Sequence, residues 1–133
     1  MIGLGVLLAG VTMAAVIPSP ASAATPSCTT KTWWISSDGG HVDIYVPTTA
    51  GGNASCTLKQ GANNAGVEAL QQAIWSCYDI TIAVDGAFGP ATKAALKTVQ
   101  SRIGATADGV YGPETASKID FASAVQLPYC GKK

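Results

Sequence analysis

The residues of this chain that are chemically most suggestive belong to a motif that occurs twice. Residues 85–92 (motif 1) read Asp-Gly-Ala-Phe-Gly-Pro-Ala-Thr, and residues 108–115 (motif 2) read Asp-Gly-Val-Tyr-Gly-Pro-Glu-Thr. Asp85 and Asp108 are a candidate acid and base for glycan hydrolysis, since glycan hydrolases use a pair of carboxylates. Each aspartate, however, comes first in an Asp-Gly turn, where its side chain can accept hydrogen bonds from nearby backbone N–H groups. We therefore expect a structural role for both.

The sequence offers little material for other catalytic sites. His41 is the only histidine, so a zinc site of two histidines and a carboxylate cannot be formed. No Gly-x-Ser-x-Gly turn is present, and the cysteines are expected to be oxidised, which argues against a serine or cysteine nucleophile. We expect no catalytic residue, no metal site and no cofactor, and hence a protein that is not an enzyme.

Binding is the other chemistry that the two motifs could support. Flat aromatic faces and directed hydrogen bonds hold sugar rings and short peptides. The structural alternative places Phe88 in the core and pairs the two glutamines with a loop backbone, while Tyr111 could pack its ring and leave its hydroxyl in water. The candidate ligand-binding residues are Gln71, Asp85, Phe88, Gln100, Asp108 and Tyr111.

Three short helices are predicted to position these residues. Apolar residues with helical spacing predict a first helix over residues 65–77. In each motif Gly-Pro begins a helix, because proline is pre-organised for the first helical position. The second helix is expected to end at Gly104, and the third to begin near Pro113. The side chains of these two helices expected to face the core are Ala95, Leu96, Val99, Ile103, Ile119 and Phe121.

A β-hairpin is predicted before the helices. Residues 31–36 and 41–46 are rich in strand formers, the Gly-containing residues 37–40 form the turn, and Pro47 is expected to end the second strand. The face expected to be apolar carries Val42, Ile44 and Val46.

Three tryptophans lie in this region and in the first helix. Adjacent strand residues point to opposite faces, so we expect one of Trp33 and Trp34 to pack inward, with Trp75 on the inner side of that contact. The alternative is an exposed indole that extends a ligand groove. Because an isolated hairpin is marginally stable, we expect it to lean on the helices.

The first 23 residues are predicted to be a secretory signal peptide. An apolar run is followed by Pro18 and by a small-x-small cleavage pattern that ends at Ala23. The alternative is a membrane anchor, but the run before Pro18 is shorter than the ~20 residues that span a bilayer. A secreted chain favours disulfides over free thiols.

Four cysteines are present, without a Cys-x-x-Cys pattern, and three disulfide pairings are possible. We favour Cys28–Cys56, which closes the segment before the motifs, and Cys77–Cys130, which ties the C-terminal tail to the first helix.

Charge and length define the remaining expectations. Eight basic residues balance eight acidic ones, so no global field draws the chain to nucleic acid or anionic lipid. The fold class expected is mainly α, a three-helix bundle with an N-terminal β-hairpin, stapled by disulfides. The predicted divisions are a signal peptide (1–23), a β-hairpin extension (24–62) and a three-helix domain with a C-terminal tail (63–133), present as a monomer.

The residues of the helical part resemble the peptidoglycan-binding domain 1 family, a three-helix module of secreted bacterial wall hydrolases. Val67-x-x-Leu70-Gln71-x-x-Ile74 and the two motifs reproduce its pattern over residues 63–121. The chain departs from the family pattern at three positions. Ala116 stands where an aromatic residue is usual, Val99 where a phenylalanine is usual and Ala105 where a leucine is usual. These smaller side chains shrink the core. The hairpin and disulfides resemble decorated, stand-alone secreted forms of the module in actinobacteria.

The resemblance implies a secreted, non-catalytic module that binds bacterial cell-wall peptidoglycan through its glycan or its stem peptide. The implied location is extracellular or at the cell wall, with no nucleic-acid partner and no membrane association after signal cleavage. The alternative is a secreted interaction or inhibitor protein that reuses the scaffold for a protein partner.

Overall fold

The computed structural model describes residues 24–39, 42–125 and 128–133. The predicted signal peptide and His41 lie outside these residues. Three helices follow a β-hairpin, as predicted. The elements in chain order are β1 (Thr30–Ile35), β2 (Asp43–Thr48), α1 (Ala65–Tyr78), α2 (Pro90–Arg102), α3 (Pro113–Lys118), β3 (Phe121–Ala122) and β4 (Cys130–Gly131).

The hairpin pairs β1 with β2 in antiparallel register, with Trp34 opposite Ile44. Ile44 and Val46 are fully buried and Val42 partly so, which confirms the predicted apolar face. The prediction that Pro47 ends the second strand is wrong, because β2 continues to Thr48. Near a strand end a proline removes only one ladder donor, which the pairing tolerates.

Helix α1 packs its apolar face against the hairpin. Its N-cap is Asn64, whose side-chain oxygen accepts from the Gly66 N–H at 2.9 Å and the Val67 N–H at 3.2 Å. An ion pair of 2.8 Å between Lys31 of β1 and Glu68 of α1 adds a polar link. The helix ends one residue later than predicted, and Asp79 caps it in the left-handed conformation.

Helices α2 and α3 begin where the motifs predicted. Pro90 and Pro113 occupy their first turns, after the extended cap residues Gly89 and Gly112. Helix α2 ends at Arg102, whose guanidinium donates a 2.8 Å hydrogen bond to the carbonyl of Tyr78. The ends of α1 and α2 are thereby joined.

The C-terminal tail has structure that the sequence did not predict. Phe121 of β3 lies opposite Gly131 of β4, and Ser123 bridges to Ile44 of the hairpin. Two-residue strands carry no periodic signal. Their positions depend on the hairpin and on the disulfide at Cys130 that brings the chain back to α1.

Both disulfides have the favoured pairing, Cys28–Cys56 and Cys77–Cys130. The first closes the segment that contains the hairpin, and the second attaches the tail to the last turn of α1.

The core lies between the hairpin, the three helices and β3, and it contains the core-facing residues predicted for helices two and three, with Ile103 only partly buried. Its largest fully buried apolar side chains are Tyr111, Phe121, Ile44, Leu58, Leu70, Ile74, Leu96 and Ile119. Within the described ranges, no helix combines the length and apolar character that a membrane span requires.

Candidate functional site

The two Asp-Gly turns have nearly identical geometry. Asp85 Oδ1 accepts from the Ala87 N–H at 3.0 Å, and Asp108 Oδ1 accepts from the Val110 N–H at 2.9 Å. The glycine that follows each aspartate has a positive φ, 75° in motif 1 and 73° in motif 2, which favours glycine. The predicted structural role of both aspartates is therefore confirmed.

A buried glutamine holds the turn of motif 1. The side-chain oxygen of Gln71 accepts from the N–H groups of Asp85 at 3.0 Å and Gly86 at 2.8 Å. Its amide nitrogen lies 3.0 Å from each of three acceptors, which are Asp85 Oδ1, the Ala87 carbonyl and Thr92 Oγ1. One helix residue thus joins the turn to the first turn of α2. We call this arrangement clamp 1.

Motif 2 has the same arrangement around Gln100, which we call clamp 2. The Gln100 oxygen accepts from the Gly109 N–H at 2.9 Å. Its amide nitrogen lies 3.1 Å from Asp108 Oδ1, 2.9 Å from the Val110 carbonyl and 3.0 Å from Thr115 Oγ1. The expectation that both glutamines satisfy a loop backbone is confirmed. Their ligand-binding role stays a prediction, and both side chains are almost completely buried.

The motif aromatics are core residues. Phe88 is buried, as the structural interpretation predicted. Tyr111 is also fully buried, so the expectation that its hydroxyl reaches water is wrong. Its ring meets Phe121 edge-on at 6.5 Å, and its hydroxyl has no hydrogen-bond partner among the residues that the structure describes. Burial raises the pKa of the Tyr111 hydroxyl far above its usual range.

One segment, residues 58–64, forms backbone hydrogen bonds with both motifs. Leu58 exchanges two 2.9 Å backbone hydrogen bonds with Tyr111. Further along the segment, the Ala62 carbonyl accepts from the Phe88 N–H at 2.9 Å, and the Asn64 N–H donates to the Gly86 carbonyl at 3.0 Å. The two turns therefore share one backbone support.

A groove of about 310 Å³ follows this segment. We call it the loop groove. The side chains of Lys59 and Gln60 are exposed beside it and present a cation and an amide. Its lining residues are Ser27, Cys28, Thr29, Thr57, Lys59, Gln60, Gly61, Ala62 and Asn64.

The carboxylates of Asp85 and Asp108 are exposed. The pKa of Asp85 lies below its usual value, chiefly because its carboxylate accepts from the Ala87 N–H and then because of the Gln71 amide. A general acid of a glycan hydrolase needs the opposite shift. Within the described part of the chain, no three His, Cys, Asp or Glu side chains are grouped so that they could hold a metal ion.

The tryptophans are more exposed than predicted. Trp34 lies on the covered face of the hairpin, opposite buried Ile44, and is still 36% exposed, whereas Trp33 on the other face is 61% exposed. One tryptophan of the pair therefore faces inward, as expected, but Trp75 is 44% exposed and does not cover it as an inner partner would. Trp75 instead borders a pocket at the end of α1.

Sequence reasoning missed several participants of this site, among them the segment 58–64 and the hydroxyls of Thr92 and Thr115. The threonines had a signal, because each follows its aspartate by the same interval in both motifs. The segment had none, since its contacts to the motifs are made by the backbone.

The fold and the two clamped turns define a small disulfide-bonded module built on a repeated turn–helix unit. Residues 63–119 match the model of a family described as a putative peptidoglycan binding domain. This match identifies residues 63–119 as a domain of that family.

Two relatives come from actinobacteria. The chain is 43% identical over 67 residues to a zinc D-Ala-D-Ala carboxypeptidase of Streptomyces albus G, a match that spans 49% of this chain and 26% of the carboxypeptidase. It is 38% identical over 68 residues to an uncharacterised protein from the bpoA1 3′ region of Kitasatospora aureofaciens, spanning 50% of this chain and 58% of that protein. The chain thus covers less than two thirds of either relative.

Among solved structures, the SleB N-terminal domain is 33% identical, with 46% of this chain and 84% of that domain covered at a TM-score of 0.44. The family assignment rests on the sequence matches.

Proposed function

We propose that this protein binds bacterial peptidoglycan and does not cleave it. The observation that carries the proposal is the family match over residues 63–119, a range that contains both clamps. The family and the two disulfides indicate an extracytoplasmic location. We propose, further, that the chain is secreted after removal of residues 1–23 and acts at the cell wall.

The buried side chains of the two motifs hold the turns in place and do not form a contact surface for a ligand. Gln71, Gln100, Phe88 and Tyr111 are enclosed by protein, so a ligand can reach them only through the groups that they position. The loop groove is the accessible surface attached to these turns. Lys59 offers a cation to the carboxylates of a stem peptide, and Gln60 offers both a donor and an acceptor.

A non-catalytic role is supported by the state of the carboxylates. The side chains of Asp85 and Asp108 each hold their own turn through a backbone N–H. The lowered pKa of Asp85 keeps it ionised, whereas glycan hydrolysis requires one carboxyl that stays protonated near neutral pH. The carboxypeptidase activity in a relative's name belongs to a protein of which this chain covers only 26%.

Co-sedimentation with purified insoluble peptidoglycan tests the proposal. The disulfide-bonded protein is expected in the pellet with peptidoglycan and in the supernatant with cellulose. Replacing both groove side chains (Lys59→Ala with Gln60→Ala) should weaken binding, while Lys97→Ala, an exposed lysine of α2 outside the groove, should not. Full recovery in the supernatant with peptidoglycan would overturn the proposal. A stoichiometric protein partner recovered from culture medium, without wall affinity, would favour the interaction-protein alternative.

A further inference from the structure

The C-terminal end of α1 borders a pocket that the proposed function does not use. The pocket has a volume of about 320 Å³, and we call it the α1-end pocket. Its lining residues are Trp75, Ser76, Asp79, Thr81 and Pro128. The disulfide Cys77–Cys130 builds it, because it holds the tail segment with Pro128 against the last turn of α1.

Electrostatics favour a cation in this pocket. The end of a helix carries partial negative charge, and the last turn of α1 has no basic residue, whereas those of α2 and α3 contain Arg102 and Lys118. Arg102 of α2 compensates the partial negative charge at the end of α1 in part, since its guanidinium donates to the Tyr78 carbonyl. Asp79 adds a full negative charge at the cap position.

The Asp79 carboxylate has no hydrogen bond or ion pair with any described residue. The indole face of Trp75, which lines the same pocket, is also available to a cation. Lys31 lies over the ring of Tyr45 at 4.6 Å and Lys133 over that of Trp34 at 5.7 Å, but no lysine or arginine of the described chain lies over Trp75. An indole face and a free carboxylate that line the same pocket form half of a cation site.

The hydroxyls of the pocket complete the match. A primary ammonium has three N–H donors, and three residues of the pocket carry acceptor oxygens, the carboxylate of Asp79 and the hydroxyls of Ser76 and Thr81. Ser76 Oγ accepts from Gln72 at 3.0 Å and keeps a second lone pair. Pro128 supplies an apolar wall on which an aliphatic chain can lie.

We propose that the α1-end pocket binds a primary ammonium group at the end of an aliphatic chain, as in the side chain of a lysine-type diamino acid. Diamino acids of this kind occur in the stem peptides of peptidoglycan, so the source of the ligand rests on the proposed function, although the ammonium chemistry does not.

The test is an NMR titration of the ¹⁵N-labelled, disulfide-bonded protein, which has three indole N–H signals that single Trp→Phe variants assign. The probe is Nα-acetyl-L-lysine methylamide, and the neutral control is the same compound acetylated on its side-chain nitrogen. The Trp75 signal is expected to shift saturably with a dissociation constant on the order of 1–10 mM, while the signals of Trp33 and Trp34 stay in place. The neutral control should cause no shift.

Two variants separate the role of the charge from general disturbance. Asp79→Asn removes the charge and keeps a residue type that tolerates the left-handed conformation, and it should weaken binding at least about fivefold. Glu68→Gln, at the other end of α1, should bind like the unmodified protein.

The proposal is overturned if the Trp75 signal does not shift saturably, if Asp79→Asn binds the probe equally well, or if the neutral disaccharide N,N′-diacetylchitobiose produces a comparable shift. Failure of wall co-sedimentation alongside a saturable Trp75 shift would remove the proposed function and leave the ammonium site standing. Co-sedimentation with the wall without a saturable Trp75 shift would remove the ammonium site and leave the proposed function standing.

Discussion

Replacing Gln71 by leucine tests whether clamp 1 holds the turn of motif 1. The variant keeps a side chain of similar length but leaves the N–H groups of Asp85 and Gly86 without their acceptor. The Gly86 N–H is buried and that of Asp85 partly so. An unpaired buried donor costs about 1–3 kcal/mol, so the free energy of unfolding should fall by about 2–5 kcal/mol. That is a large share of the ~5–15 kcal/mol typical of a small domain.

The assay is urea unfolding of the oxidised protein followed by far-UV circular dichroism. With a slope of about 1.5 kcal/mol/M, a loss of 3 kcal/mol lowers the midpoint by roughly 2 M. Gln72→Leu is the matched control, because Gln72 is the next residue of α1 and its side chain bonds, within the described ranges, only to Ser76; its effect should stay within about 0.5 kcal/mol. Gln100→Leu removes the acceptor of one backbone N–H, so it should cost less than Gln71→Leu. Equal midpoints for the Gln71 and Gln72 variants would refute the clamp.

Three further predictions concern stability. Tyr111→Phe removes a buried hydroxyl without a partner and should raise the free energy of unfolding by about 1 kcal/mol, seen as a higher Tm; a lower Tm would show that the hydroxyl is paired. Replacing Cys77 and Cys130 together by serine opens a link between positions 53 residues apart and should cost about 4 kcal/mol in chemical denaturation, and a loss below 1 kcal/mol would contradict the chain-entropy argument. The pKa of Asp85 is lower in the folded than in the unfolded chain, so its contribution to the free energy of unfolding is complete above a pH of about 3.9 and is lost as the pH falls through the pKa of the folded chain. Asp85→Asn should therefore flatten the acid side of a plot of stability against pH. An unchanged plot would show that Asp85 does not contribute to it.

Much of the helical part followed from local rules. Gly-Pro in each motif marked the starts of α2 and α3, and the positive φ of Gly86 and Gly109 is what an Asp-Gly turn requires. Such features depend on neighbouring residues along the chain, so a pattern contains them. The favoured disulfide pairing, with one bridge closing the segment before the motifs and the other tying the tail to the first helix, is confirmed.

The extent to which the tryptophans are covered and the structure of the tail were not predictable in this way. Alternation along β1 predicts that only one of Trp33 and Trp34 faces the core, but how much of each side chain is covered depends on what the rest of the molecule brings to that face. The β3–β4 pair consists of two residues in each strand, too short for any periodic signal.

For the candidate site, the order of residues already specified the two turns, the helix entrances and the glutamines that could reach them, because each is a matter of residue type and short-range spacing. Only the folded chain decided that both glutamine side chains bond within the protein and that Tyr111 is buried in the core. It also formed the loop groove and the α1-end pocket as accessible surfaces. The physical reason is that burial and the pairing of polar groups depend on segments distant in sequence, here residues 58–64 and the disulfide-held tail.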